Sequence, residues 1–191
     1  MYRKPNRKEL TVLKRAFDKW GIFEFAKDKA LVLNDLRCNT IKEVFLLSSS
    51  LESIIDHSQP YYAGLKIGEL KKKFMPGMQG ADLIARISKK FPYVIVNETA
   101  ENLILYGRDI LGQSIIKTSN MLRENEIVIL LNTKKEALGT GTTKASAESL
   151  LRHGKSTIIT LVDAGCYLRS EGDPRTYQLN VKSHVKVTNN E

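Results

Sequence analysis

The segment LGTGTTKAS, residues 138–146, has the composition of a nucleotide-binding loop, with two glycines and a lysine. A phosphate loop of the Walker type needs the spacing G-x-x-x-x-G-K-[ST], because its backbone N–H groups and its lysine must surround the phosphates. Here a single residue separates Gly139 from Gly141, and Lys144 comes three residues after the second glycine. Bends in a barrel strand explain both glycines better. We therefore expect no nucleotide cofactor.

Side chains that could bind a metal or act as acids, bases or nucleophiles are few and scattered. They are His57, His153, His184, Cys38, Cys166, Asp109, Asp163 and Asp173. No histidine has a partner at metal-ligand spacing, the cysteines match no zinc spacing, and no Ser or Cys lies in a nucleophile elbow. The aspartates could converge as catalytic acids, although Asp163 and Asp173 are more simply explained as caps or turns. We expect neither a metal site nor an enzyme.

The charge balance points instead to a polyanionic partner. The chain of 191 residues carries 30 Lys plus Arg against 21 Asp plus Glu, a formal charge of +9. Residues 1–95 hold 18 basic and 10 acidic side chains, whereas residues 96–191 hold 12 and 11. Such an excess favours nucleic acid, and most of the long-range field comes from the N-terminal half.

Two groups of cations in that half are candidates for contact with RNA. The predicted first helix carries Arg7, Lys8, Lys14, Arg15 and Lys19 on one face, which could be either a solvated face or an RNA contact. The run Lys71, Lys72, Lys73 could be an auxiliary RNA contact or serve solubility. On a strand we expect Lys72 to point opposite to its neighbours, since side chains alternate.

The elements that must position these groups change in type along the chain. In the first half we predict a helix from the cap Asn6, a hairpin of IFEFA and ALVLN, a strand VFLLS, and a short helix SSSLESIID with a serine cap. Strands YYAGLKIGEL and KKKFM, a helix ADLIARISKK and a strand YVIVN follow. This mixture predicts an α+β domain over residues 1–97.

From the polar stretch at residues 97–102 onward, short strands with glycine bends predominate. We predict strands at NLILY, QSIIKT, EIVILLN, EALGTGTTKA and KSTIITLV, with short helical stretches near DILG and SAESLLR. Such a series predicts a small mixed β-barrel over residues 98–173. Residues 174–191 form a C-terminal tail that could add an edge strand or stay disordered.

The second half resembles a PUA domain, the RNA-binding module named after pseudouridine synthases and archaeosine transglycosylases. The resemblance rests on the Tyr106-Gly107 turn entering a short helix, the strand with Gly139 and Gly141, and the closing DAGCYLR. The upstream order of AGLKIGEL, KKKF, a helix, YVIVN and ETAENLILYG resembles the pre-PUA region of the nuclear import protein seven family. Together they cover about residues 5–172.

The resemblance implies a factor that binds pre-ribosomal RNA and assists maturation of the large ribosomal subunit, with archaeal members linked to the exosome. It implies partners in the pre-ribosomal particle or the exosome. It also implies an RNA surface along a short helix and the adjoining strand edges. That surface comprises Gly107, Arg108, Lys144, Arg152, Lys155 and Arg169. Arg and Lys would contact phosphates, although Arg108 could instead pair with Asp109.

Two other functions stay open. One is an RNA-modification enzyme or its accessory subunit, for which about 95 residues without a cofactor loop leave little room. The other is a protein-interaction module that exposes Phe23, Phe25 and Phe45, although core packing is the commoner fate of such residues. The first residues lack the apolar core of a signal peptide, and no apolar run approaches ~20 residues. We expect an intracellular protein, cytoplasmic in an archaeon and nucleolar in a eukaryote.

Overall fold

Two sheets with helices packed between and around them make up this protein. The computed structural model describes residues 2–35, 41–58, 60–120, 122–150 and 156–166. A five-stranded antiparallel sheet is followed by a six-stranded mixed sheet that forms a small, nearly closed barrel. The α+β class, with a barrel in the C-terminal half, is confirmed.

The first sheet is an antiparallel meander whose strands lie in chain order, β1 to β5. Its elements are β1 (Tyr2–Arg3), α1 (Arg7–Lys19), α2 (Phe23–Lys27), β2 (Lys29–Asp35), β3 (Lys42–Ser48), α3 (Glu52–Ser58), β4 (Leu65–Leu70), β5 (Phe74–Pro76) and α4 (Met78–Ile87). Each strand pairs with its neighbour in sequence, although α1 and α2 lie between β1 and β2, and α3 lies between β3 and β4.

The second sheet has the order β7-β11-β10-β9-β6-β8, with β6 parallel to β9. Its elements are β6 (Tyr93–Val96), α5 (Glu98–Leu105), β7 (Ile110–Leu111), β8 (Ile115–Thr118), β9 (Ile127–Leu131), β10 (Ala137–Thr143), α6 (Ala147–Leu150) and β11 (Ser156–Asp163). Strand β6 precedes the boundary expected at residues 97–102, yet its partners β8 and β9 belong to the barrel. The division into residues 1–97, 98–173 and 174–191 stays a prediction, and residues 167–191 lie outside the described part.

The start of α1 is fixed by its sequence. The Asn6 side chain accepts a hydrogen bond from the Glu9 N–H at 2.9 Å, and the Glu9 carboxylate accepts one from the Asn6 N–H at 2.8 Å. This reciprocal capping box satisfies two N–H groups that the helix cannot pair internally. The predicted cap is therefore confirmed.

Alternation of side chains along β9 separates two clusters of apolar side chains. On β9, Val128 and Leu130 face the barrel interior with Ile104 and Ile158, whereas Ile129 and Leu131 face the other way. These two pack in a central core with side chains of the first sheet and of the helices between the sheets. That core includes Leu13, Phe17, Trp20, Leu33, Val44, Leu46, Ile67, Phe74 and Ile84. Because both faces of β9 are buried, its sequence is an unbroken apolar run.

Two segments predicted as strands are helices. IFEFA contributes α2, and the partners of β2 are β1 and β3, so the predicted hairpin is wrong. NLILY lies in α5, where Asn97 caps the helix by accepting from the Ala100 N–H at 2.9 Å, and where Ala100 and Ile104 are buried four residues apart. A short apolar run fits either structure, and the flanking cap decides here.

Two smaller expectations can be compared with the structure. The short helical stretch expected near DILG is a single 3-10 turn at Gly112–Ser114, which follows strand β7. No side-chain hydrogen bond from Ser48 caps the 3-10 turn Ser49–Leu51 that leads into α3.

Candidate nucleic-acid interface

Gly107 ends helix α5 and turns the chain into the barrel. Its φ is +69°, a left-handed conformation that a glycine adopts without steric cost. The Gly107 N–H donates to the Ile104 carbonyl at 2.7 Å, and the Arg108 N–H donates to the Leu103 carbonyl at 3.0 Å. These two bonds form a Schellman cap. The predicted Tyr106-Gly107 turn exists, but it closes a helix and does not enter one.

Directly beside this cap, an aromatic and a cationic side chain reach solvent. The exposed fraction of Tyr106 is 71%, and Arg108 is also exposed. The Arg108 carbonyl accepts from the Thr160 hydroxyl at 2.7 Å, and an Asp109 carboxylate oxygen accepts from the Thr160 N–H at 3.2 Å. Two hydrogen bonds thus fix the backbone here. Within the described residues, Asp109 is engaged with β11 and not with Arg108.

Two further cations, Arg123 and Lys144, lie near the end of β10. The Thr143 hydroxyl donates to the Arg123 carbonyl at 2.6 Å, and the Lys144 N–H donates to the Thr157 carbonyl at 2.7 Å. Both Arg123 and Lys144 expose their side chains. The buried Thr143 joins the two segments by a hydrogen bond, so Arg123 lies near Lys144 although 20 residues separate them in sequence.

Strand β11 connects the two exposed groups. It lies between β7 and β10 in the sheet, with Thr160 bonded to Arg108 on one side and Thr157 bonded to Lys144 on the other. We call this set, Tyr106, Arg108, Arg123 and Lys144, the β11 surface. The structure brings together Gly107, Arg108 and Lys144 of the predicted site, while Arg152, Lys155 and Arg169 lie outside the described residues.

Tyr106 and Arg123 were not predicted as contacts. An aromatic residue directly before a Gly-Arg pair was a usable signal for Tyr106, since aromatic rings stack on unpaired bases. No local signal identifies Arg123, because its position depends on a hydrogen bond to Thr143.

The lysine run is a turn and not a strand. Lys71, Lys72 and Lys73 connect β4 to β5, and the Lys71 N–H donates to the Lys73 carbonyl at 3.1 Å. The expected alternation of side chains is therefore wrong for this run. The Lys71 ammonium lies 3.8 Å from Glu69, whereas Lys72 and Lys73 are exposed. The run belongs to the first sheet and not to the β11 surface.

The three phenylalanines considered for a protein contact differ in exposure. Phe45 is buried between Tyr2 and Tyr62, with ring centroids 5.3 and 5.5 Å away, so its expected exposure is wrong. Phe23 is half-buried against the central core, and Phe25 is 39% exposed.

Neither a metal centre nor a membrane span is found within the described residues. No group of three or more His, Cys, Asp or Glu side chains there could hold a metal ion. Their helices are all too short or too polar to cross a bilayer.

Comparison with known proteins places the chain in a family. Residues 2–78 match the family model of the NIP7/UPF0113 pre-PUA domain, and residues 92–172 match that of the UPF0113 PUA domain. A UPF0113 protein of Archaeoglobus fulgidus is 37% identical over 172 residues, which cover 89% of this chain and 95% of that protein. The chain belongs to the NIP7/UPF0113 family. The resemblance stated from the sequence is confirmed.

Solved structures show the same fold as this NIP7/UPF0113 member. A conserved PUA domain protein from Thermoplasma acidophilum superposes with a TM-score of 0.64 at 14% identity, covering 86% of this chain and 95% of that one. A hypothetical protein from Pyrococcus horikoshii OT3 gives a TM-score of 0.67 at 13% identity, with the same coverage. The fold is therefore shared over both sheets, although the sequences have diverged widely.

Proposed function

We propose that this protein binds RNA through the β11 surface and acts without catalysing a reaction. The single observation that carries the proposal is that an aromatic ring, Tyr106, and three cations around β11 are all exposed to solvent. The cations are Arg108, Arg123 and Lys144. Membership in a family with a PUA domain supports it, as does the formal charge of +9. A polyanion that offers flat bases suits this combination better than any other common ligand.

The chemistry favours a single strand or a loop over a duplex. An exposed tyrosine ring can stack on a base only when that base is unstacked from its neighbours. Arg108 supplies a planar guanidinium for phosphate or base edges, and Arg123 and Lys144 supply phosphate contacts. Since the backbone at Arg108 and Lys144 is held by hydrogen bonds to Thr160 and Thr157, little additional backbone order has to be gained on binding.

Family membership supports a proposal about the biological setting. We propose that the RNA is pre-ribosomal RNA, that the protein serves maturation of the large ribosomal subunit, and that its partners lie in the pre-ribosomal particle or the exosome. We propose a cytoplasmic site for an archaeal cell and a nucleolar one for a eukaryotic cell. Arg152, Lys155 and Arg169 remain part of the proposed RNA surface, and Lys71, Lys72 and Lys73 remain an auxiliary contact.

The test is RNA binding by fluorescence anisotropy at several salt concentrations, with a labelled single-stranded RNA of mixed sequence. The variant R108Q/K144Q removes two charges from the β11 surface. Its control K134Q/K135Q removes two exposed charges from the turn at the other end of β10. Glutamine retains part of the aliphatic side chain and introduces no new constraint on the backbone.

We expect only R108Q/K144Q to weaken binding. Its plot of log K against log salt should flatten by about 1.4, since each lost phosphate contact on a single strand contributes about 0.7. Equal binding by the two double variants would show that the β11 surface is not the RNA site.

A further inference from the structure

The exposed face of α1 carries a row of cations. Arg7, Lys8, Lys14 and Arg15 are all exposed, and their spacing places them on one side of the helix. We call these four residues the α1 basic face. Asp18 is the acidic residue on that side. Among the described residues, none of the four cations takes part in an ion pair.

Acidic side chains near α1 are engaged elsewhere. Glu9 turns inward to Arg3 and Lys42, and Asp35 also binds Arg3 at 2.6 Å. Further out, Glu43 binds Lys66 and Glu52 binds Lys4. These four carboxylates therefore neutralise cations of the sheet and of the N-terminal segment. The positive field of the α1 basic face is left directed at solvent.

The C-terminal end of α1 is joined to the barrel by an ion pair. The Lys19 ammonium lies 2.7 Å from the Glu126 carboxylate, whose side chain is 16% exposed. Burial opposes ionisation of Glu126, but hydrogen bonds from Lys19 and from the Arg123 N–H outweigh it and hold its pKa below the usual value. Glu126 is therefore ionised at neutral pH, and the link persists.

The same carboxylate leads directly to the β11 surface. The Arg123 N–H donates to Glu126 at 3.0 Å, and the Glu126 N–H donates to the Thr143 hydroxyl at 3.0 Å. Thr143 precedes Lys144. Lys19 at the end of α1, Arg123 and Lys144 thus lie around a single hydrogen-bonded junction. The C-terminal end of α1 is therefore linked through Glu126 to the part of the barrel that carries Arg123 and Lys144.

We propose that the α1 basic face and the β11 surface form one continuous track for the sugar-phosphate backbone of a single RNA strand. The proposal rests on RNA binding by the β11 surface and adds the N-terminal domain to the same site. Helix α1 has 13 residues, about 20 Å at ~1.5 Å per residue, which corresponds to about six stacked nucleotides at ~3.4 Å each. The β11 surface would bind bases, while α1 would bind phosphates only.

The track makes the effect of α1 depend on RNA length. A strand of about 5 nucleotides can occupy the β11 surface alone, whereas one of about 15 nucleotides can also reach along α1. The variant R7Q/K8Q/K14Q/R15Q neutralises the face, and glutamine preserves helix propensity. A control variant, K27Q/K117Q/K134Q/K135Q, removes four exposed charges elsewhere, so both proteins have the same net charge. Binding is measured near 0.15 M salt, where distant charges are screened beyond about 8 Å.

We expect the α1 variant to bind the longer RNA at least tenfold more weakly than the control, with a salt slope flatter by up to about 2.8 for four lost phosphate contacts. Both proteins should bind the short RNA within twofold of each other. Equal binding of the longer RNA by the α1 variant and the control overturns the track. An equal loss of affinity for both RNA lengths also overturns the track, because the effect of α1 would then not depend on whether the RNA is long enough to reach it. If the β11 surface does not bind RNA, the result is different: R108Q/K144Q then binds the short RNA as well as the unaltered protein does.

Discussion

The carboxylate of Glu9 joins α1 to the first sheet, and its replacement by glutamine tests how much that junction stabilises the fold. Glu9 accepts two hydrogen bonds of 2.8 Å from the Arg3 guanidinium, one of 2.5 Å from the Lys42 ammonium and one of 2.8 Å from the Asn6 N–H. The hydrogen bonds from Arg3, with those from Lys42 and Asn6, outweigh burial and lower the pKa of Glu9 from about 4.5 to about 2.

The shift in pKa gives the size of the effect. Each pKa unit corresponds to about 1.4 kcal/mol, so ionised Glu9 contributes about 3 kcal/mol to the free energy of unfolding. The folded-state pKa lies below the unfolded one. This contribution is therefore complete above about pH 4.5 and is lost as the pH falls towards 2.

We expect Glu9→Gln to lower the free energy of unfolding by about 3 kcal/mol at pH 7, with the difference from the unaltered protein shrinking between pH 4.5 and pH 2. Chemical denaturation at pH 7, 4.5 and 3 measures this difference, with equal m-values required for comparison. Asp82→Asn is the control, because its ion pair with Arg86 is exposed and worth under about 1 kcal/mol. A Glu9→Gln difference that is the same at pH 7 and pH 3 would refute the electrostatic reasoning.

Two further substitutions address the site and the packing. Tyr106→Ala should weaken RNA binding by about 1–3 kcal/mol in anisotropy titrations, with no change in the salt slope. Tyr106→Phe should bind normally, because stacking needs the ring and not the hydroxyl. A flattened salt slope for Tyr106→Ala would contradict a stacking role. Gly80→Ala on α4 should cost about 1–3 kcal/mol in chemical denaturation, because the added Cβ meets the Ile67 carbonyl of β4. The exposed Gln79→Ala is its control, and equal stability of the two would show that α4 can shift away.

The sequence correctly predicted the elements whose ends or burial are marked by residues close by in the chain. Asn6 and Glu9 mark the start of α1 within four residues of sequence, and the long apolar run of β9 shows a strand buried on both faces. IFEFA and NLILY carry too few residues for a period to be measured. Their structure depends on the cap at Asn97 and on the pairing of β2 with β3, which is a contact between strands and not a local preference.

The residues of the β11 surface likewise differ in whether the nearby sequence identifies them. Arg108 and Lys144 were predicted from the resemblance to a known module, since Arg108 directly follows Gly107 and Lys144 lies three residues after Gly141. Arg123 lies in a loop that the Thr143 hydroxyl joins to the segment of Lys144, and Lys19 contacts the barrel through its ion pair with Glu126. Side-chain hydrogen bonds between distant segments have no signature in sequence.

The central core has a consequence for how the molecule unfolds. Ile129 and Leu131 of the barrel are buried among side chains of α1, α4 and the first sheet, so neither half covers its apolar surface alone. Unfolding of one half would expose that apolar surface and remove packing contacts from the other half. We therefore expect the two halves to unfold as one cooperative unit, so that a ligand bound to either half stabilises both. During synthesis we expect the first half to complete its packing only after β9 has left the ribosome.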